Sequence, residues 1–171
     1  MKVTQNPKAL VVAQFSLLAL ILFWPDQKDG FGIADFLFEF IGVIFFFIGA
    51  TYLVLALRSI FRNSLPRFEI KDLPSLKRAL KVVWPEPAEE AKLVTTGVFK
   101  RSRHPIYSGL LWLGYGIGLA KGPWPHLFLA IALHVVLFYK ANYEESLLLK
   151  KFKEYKTYLT VTGRFLPKGD E

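Results

Sequence analysis

Residues 104–145 read HPIYSGLLWLGYGIGLAKGPWPHLFLAIALHVVLFYKANYEE, and how this stretch folds back on itself decides the architecture. Two apolar runs, Pro105 to Ala120 and His126 to Tyr139, flank the segment Lys121-Gly122-Pro123-Trp124-Pro125. Glycine and proline at that density break a helix, so the segment predicts a tight turn between two antiparallel helices. His104 precedes Pro123 by 19 positions and Glu144 follows it by 21. With equal rise in both arms, Arg103-His104 and Glu144-Glu145 return to the same depth. Two base-type side chains then face two carboxylates, a set suited to a ligand carrying both signs of charge.

Working outward, the rest of the chain is equally apolar. It has 171 residues, enough for one domain, and is 53% hydrophobic and 16% aromatic with 16 phenylalanines. A soluble chain of this composition would leave a large apolar surface in water. Ala9 to Trp24 is uncharged and ends at Pro25 without a small-x-small cleavage pattern, so it is expected to be a retained first span with Trp24 at the far interface. Phe36 to Leu57 is the clearest span, with Glu39 its only charge. Gly42, Gly49 and Ala56 recur at seven-residue intervals within it and predict a stripe where another helix approaches closely. The expected fold is therefore all-α: one membrane domain over residues 1–171 with about four spans (9–24, 36–57, 105–120 and 126–139). The fourth helix is expected to continue inward through Glu144, Glu145 and the Leu147–Leu149 run.

Charge orients this bundle. The net charge of +8 divides into +2 over residues 1–8, +6 over 58–103 and +2 over 140–171, with −2 for everything else. Four spans put those three basic segments on one face, the positive-inside pattern, with both termini and the polar cluster in the cytoplasm. The basic balance thus reflects membrane orientation and not a nucleic-acid groove. Within the long inner segment, Leu76, Leu80 and Val83 share a helical face opposite Lys77, Arg78 and Lys81, before Trp84-Pro85-Glu86-Pro87 breaks any helix. The chain has no cysteine, which excludes disulfides, thiol nucleophiles and cysteine-ligated metals. His126 and His134 lie eight apart with no third ligand in view, so interface and packing roles are expected and no metal site.

Several blocks then occur in order: Leu93-Val94-Thr95-Thr96-Gly97-Val98-Phe99, Arg103-His104-Pro105-Ile106-Tyr107-Ser108-Gly109, Glu144-Glu145, and Tyr155, Tyr158 and Thr162-Gly163-Arg164-Phe165-Leu166-Pro167. Over residues 93–168 the chain resembles the isoprenylcysteine carboxyl methyltransferase family and the related phospholipid methyltransferases. The resemblance implies an integral membrane enzyme whose cofactor pocket is built by this hairpin and the segments flanking it, with S-adenosylmethionine as cofactor. It implies that Arg103, His104, Tyr107, Glu144 and Glu145 line the cofactor site. Arginine and histidine can donate to a carboxylate, a glutamate can accept from an ammonium or a ribose, and a tyrosine ring offers a π-face to a cation. Lys140 and Arg164 are the groups expected to hold an anionic acceptor. Lys140 stands where relatives commonly carry arginine, and a snorkelling interface lysine is the competing reading. Relatives also tend to have a glycine after Phe152, so Lys151 to Tyr155 could form helix where they turn. Gly114, Gly116 and Gly118 include a Gly-x-Gly resembling one in the phospholipid branch, and close packing explains them equally well.

The expected partners are the lipid bilayer and a lipophilic or lipidated acceptor, with no nucleic acid. Two rivals share the hairpin. Sterol-type membrane reductases, which bind a nicotinamide cofactor, place Glu after the motif's glycine, where this chain has Leu110. A non-catalytic membrane scaffold would have no need of His104 and the Glu144-Glu145 pair.

Overall fold

The computed structural model describes residues 6–26, 33–63 and 92–168, which contain only helices and connecting turns. In order these are α1 (Pro7–Phe23), α2 (Ile33–Asn63), a 3-10 turn η1 (Gly97–Lys100), α3 (Pro105–Lys121), α4 (Pro123–Lys151) and α5 (Tyr155–Val161). Helices α1 to α4 coincide with the four apolar runs, except that α1 stops at Phe23, just before Trp24, while α2 and α4 run on to Asn63 and Lys151. The expected amphipathic face at Leu76, Leu80 and Val83 and the break at Trp84–Pro87 lie outside the described residues.

Local chemistry sets the helix ends. Asn6 accepts a hydrogen bond from the Lys8 amide (3.1 Å), while Pro7 opens α1 with a residue that lacks an amide to orphan. Between α3 and α4 a single residue makes the turn: Gly122, at φ 133, a backbone region that L side chains rarely enter. The Lys121 ammonium donates to the carbonyls of Leu22 (2.8 Å) and Trp24 (2.9 Å) and pairs with Asp26 (3.1 Å). The hairpin tip is thereby tied to the end of α1. Helix α4 continues past Tyr139 to Lys151, as expected from its sequence. It then stops: Phe152 is extended (φ −122, ψ 115) and α5 begins at Tyr155. The helical reading of Lys151–Tyr155 is thus corrected: the chain turns here with Lys153 in the place of the relatives' glycine, and it can do so because no residue of this segment takes a positive φ.

Packing follows the small residues. A Cβ added to Gly42 would fall 2.6 Å from the Gly116 carbonyl, and one added to Gly49 would fall 2.7 Å from that of Gly109. The rising number on one helix meets the falling number on the other, so α2 and α3 are antiparallel and nearly touch along their backbones. Ala56 extends the same stripe and is fully buried. Gly114 and Gly118 turn instead to Leu133 and His126 of α4, where an added Cβ would fall 3.3 Å from its neighbour in each case. Close packing therefore accounts for all three glycines of that run. The bundle proceeds from α2 to α3 to α4 to α1, with Ile21, Leu111, Ala130, Leu133, Leu137 and Ala141 in its core.

The outer face is apolar too. Phe128, Ile131, Val135 and Phe138 form an exposed stripe on α4, and Phe36, Phe40, Phe47 and Val54 are exposed on α2. Large apolar side chains thus line the outside as well as the core, while glycines and polar groups are kept inside, as expected where the outer medium is lipid. Ile33–Arg62 and Trp124–Lys151 are long and apolar enough to cross a membrane, and Pro7–Phe23 is a shorter apolar helix.

Candidate active site

The start of α3 and the far turns of α4, both remote from Gly122, meet as their spacing from the turn predicts. Glu145 lies at the centre of the cluster. One of its oxygens accepts from Arg103 Nε (3.0 Å), from His104 Nε2 (3.2 Å) and from Arg164 Nε (3.2 Å). The other accepts from Arg164 Nη2 at 2.6 Å, which makes the Arg164 contact bidentate. Glu144, the preceding residue, accepts from the Tyr107 hydroxyl and lies 3.4 Å from His104 Nδ1. The imidazole of His104 therefore stands between two carboxylates. Burial alone would pull its pKa down, but hydrogen bonds and charge from Glu144 and Glu145 outweigh that and hold it above 6.5.

Backbone pairing brings the tail to this place. Arg103 N donates to Gly163 O (2.9 Å), His104 N to Arg164 O (3.1 Å) and Gly163 N to Arg101 O (3.3 Å), making a short parallel bridge. Ser102 Oγ donates to Arg164 O (2.9 Å), and Ser108 Oγ reaches Phe165 O. A side chain on Gly163 would collide with the Leu166 carbonyl, so this corner requires glycine. Arg103 also donates to the carbonyls of Leu159 and Thr162, closing the end of α5. Tyr158 bonds the Phe99 carbonyl and ties α5 to η1. The Thr162–Phe165 segment read as a motif is thus the strap that seats Arg164 on Glu145.

All seven residues singled out from sequence fall in one region. Arg103, His104, Tyr107, Glu144, Glu145 and Arg164 form a continuous network, and Lys140 adjoins it, its ammonium 5.1 Å from the Tyr107 ring centroid. Tyr107 in turn stacks on His104 (5.3 Å, 2° between planes), so its ring is already in contact with two of the protein's own basic groups. The snorkelling reading of Lys140 is corrected. This side chain is 1% exposed and turns inward, donating to Gln14 Oε1 at 2.8 Å. Gln14 escaped the sequence reading, although it is the only amide in the Ala9–Trp24 run and an amide there needs a partner. Ser102 and Ser108 were missed as well, since nothing in the sequence distinguishes a buried serine from a surface one. His134 bonds the Tyr115 hydroxyl (3.2 Å) and His126 the Gly122 carbonyl (3.1 Å). Among the described residues no group of three potential ligands could hold a metal ion.

Helices of this apolarity, closed over a buried network of arginines, histidine and glutamates, define a membrane-type helical protein with a polar site at one end of a hairpin. A family model described as phospholipid methyltransferase matches residues 71–155. Over that segment the chain resembles the phospholipid methyltransferase family, a family of methyltransferases. The match spans the hairpin from Arg103 to Glu145 and ends at Tyr155, so the strap carrying Arg164 lies beyond it. A search of the curated proteins finds no match.

Proposed function

We propose that the chain is an integral membrane methyltransferase that uses S-adenosylmethionine and acts on a lipophilic or membrane-associated acceptor. In this reading it crosses the bilayer four times with both termini inside, and its site opens at the cytoplasmic boundary. One observation carries the proposal. Arg103-His104 and Glu144-Glu145, on opposite arms of the hairpin, meet in one buried cluster within the segment that matches the methyltransferase family.

The donor set fits the cofactor's groups. S-adenosylmethionine carries a carboxylate, an ammonium, a sulfonium and ribose hydroxyls, and it supplies when bound a methyl already activated as an electrophile. Glu145, held by three basic side chains, is the fixed anion that keeps Arg103, His104 and Arg164 in place. Glu144 is less committed, with Tyr107 and His104 as its partners among the described residues and a more exposed side chain, and it is the carboxylate available to an ammonium or ribose. Arg103 is the donor for a carboxylate, while both ring nitrogens of His104 face Glu144 and Glu145 and serve to hold those two carboxylates in place. Lys140 and Arg164 flank the same network and would meet an anionic acceptor.

Little further chemistry is asked of the protein, because positioning and water exclusion dominate a displacement at an activated carbon. An acceptor that is already an anion needs no general base. Burial of His104, Tyr107 and Lys140 supplies the dry surroundings.

The test is ligand-dependent stability of the purified protein in detergent. S-Adenosylhomocysteine should raise the melting temperature and NADPH should not. Stabilisation by NADPH alone would select a reductase, and stabilisation by neither would overturn the enzymatic reading.

A further inference from the structure

Among the described residues only two buried side-chain polar atoms lack a hydrogen-bond partner, His126 Nε2 and the hydroxyl of Tyr155. They differ in setting. His126 lies at the hairpin tip, at the opposite end from the cluster, and its other nitrogen is bonded to its own helix end. Tyr155 lies beside the cluster, within electrostatic reach of Glu145, Arg103 and Glu144. Its residue is 1% exposed and its ring leans on Tyr158 (centroids 5.7 Å apart, 56° between planes).

A buried hydroxyl with no partner costs free energy that a phenylalanine of the same shape would avoid. The neighbouring polar groups all have partners: Arg103 bonds Glu145 and two carbonyls, Thr162 bonds Tyr158 O, and Tyr158 bonds Phe99 O. Among the described residues, Tyr155 is thus the one buried donor at this site that the protein itself leaves unsatisfied. Burial also raises its pKa well above 10, so it stays a neutral phenol, able both to donate and to accept.

We propose that the Tyr155 hydroxyl is a cofactor contact, reserved for an uncharged polar group on the nucleoside portion of the methyl donor. The inference rests on the methyltransferase reading above. The charged groups of the cofactor have charged counterparts in Arg103 and Glu144. A neutral phenol backed by a second aromatic ring matches instead the ribose hydroxyls and the purine, which are neutral.

The experiment compares Tyr155→Phe with Tyr158→Phe in the full-length protein in detergent. Melting temperature is measured without ligand, and dissociation constants are measured for S-adenosylhomocysteine and for 5′-methylthioadenosine, which lacks the amino-acid end. Tyr155→Phe is expected to leave the unliganded melting temperature unchanged or raised, and to weaken both ligands by about threefold to tenfold, the worth of one neutral hydrogen bond. Tyr158→Phe, which loses the bond to Phe99, is expected to lower the unliganded melting temperature. A fall in unliganded stability for Tyr155→Phe with no change in either constant would make the hydroxyl structural and overturn the proposal. Weakening of S-adenosylhomocysteine alone would move the contact to the amino-acid end and overturn the nucleoside assignment. If the wild-type protein binds neither ligand, the methyltransferase reading itself fails, and this inference fails with it.

Discussion

Neighbouring glutamates at the foot of α4 should respond very differently to the same substitution. Glu145 is the shared acceptor for Arg103, His104 and Arg164, with 9% of its side chain exposed and 10%, 6% and 25% of theirs. Glu145→Gln keeps the shape but removes the charge, and it aims an amide nitrogen at donors that need an acceptor. Removing one partner of a buried ion pair costs about 3–5 kcal/mol. Arg164 is a quarter exposed and can turn to solvent, which places the expectation near the lower end, at about 3 kcal/mol. At about 2.1 cal/mol/K per residue, the unfolding entropy of 171 residues is about 0.36 kcal/mol/K, so the midpoint should fall by about 8 °C. Glu144→Gln removes an acceptor from Tyr107 and a 3.4 Å contact with His104, worth about 1 kcal/mol, or about 3 °C. Intrinsic tryptophan fluorescence on heating reads both. Equal losses for the two variants, or a fall below about 2 °C for Glu145→Gln, would refute the assignment of Glu145 as the fixed centre of the cluster.

Three further outcomes are expected. His104 has a folded pKa above its unfolded value near 6.5, so its stabilisation is complete below about pH 6.5 and is lost as pH rises through the folded value. Midpoints measured from about pH 6 upward should therefore decline for the wild type and flatten for His104→Asn; a parallel decline in both would contradict this. Gln14→Leu should cost about 1.5–3 kcal/mol by leaving the buried Lys140 ammonium without its amide partner, and adding Lys140→Met should recover part of the loss in a double-mutant cycle. Gly49→Val should prevent α2 and α3 from closing, since even its Cβ would lie 2.7 Å from backbone atoms of α3; size-exclusion chromatography should show aggregate in place of a single peak.

The fold was legible where sequence maps directly onto helix geometry. Four apolar runs became four helices, and the similar counts on either side of Pro123, 19 and 21 residues, brought His104 and Glu144 together because both arms rise at one rate. The stripe of Gly42, Gly49 and Ala56 was legible because small residues at helical spacing carry their own geometric meaning. Contacts between distant segments were harder to read. No spacing rule links Gln14 to Lys140 across 126 residues, and Arg164 reaches Glu145 only because a backbone bridge between Ser102 and Gly163 steers the tail. For Lys140, length and charge favoured a snorkelling side chain, but a buried amide on α1 drew it inward.

The central claim is that the foot of this hairpin is a cofactor site. Calorimetric titration of S-adenosylhomocysteine into the wild-type protein and into His104→Ala and Glu144→Gln tests it most directly. Saturable one-to-one binding by the wild type, lost in both variants while each still folds and inserts, is the predicted result. Unchanged binding in both variants, or none in the wild type, would contradict the account.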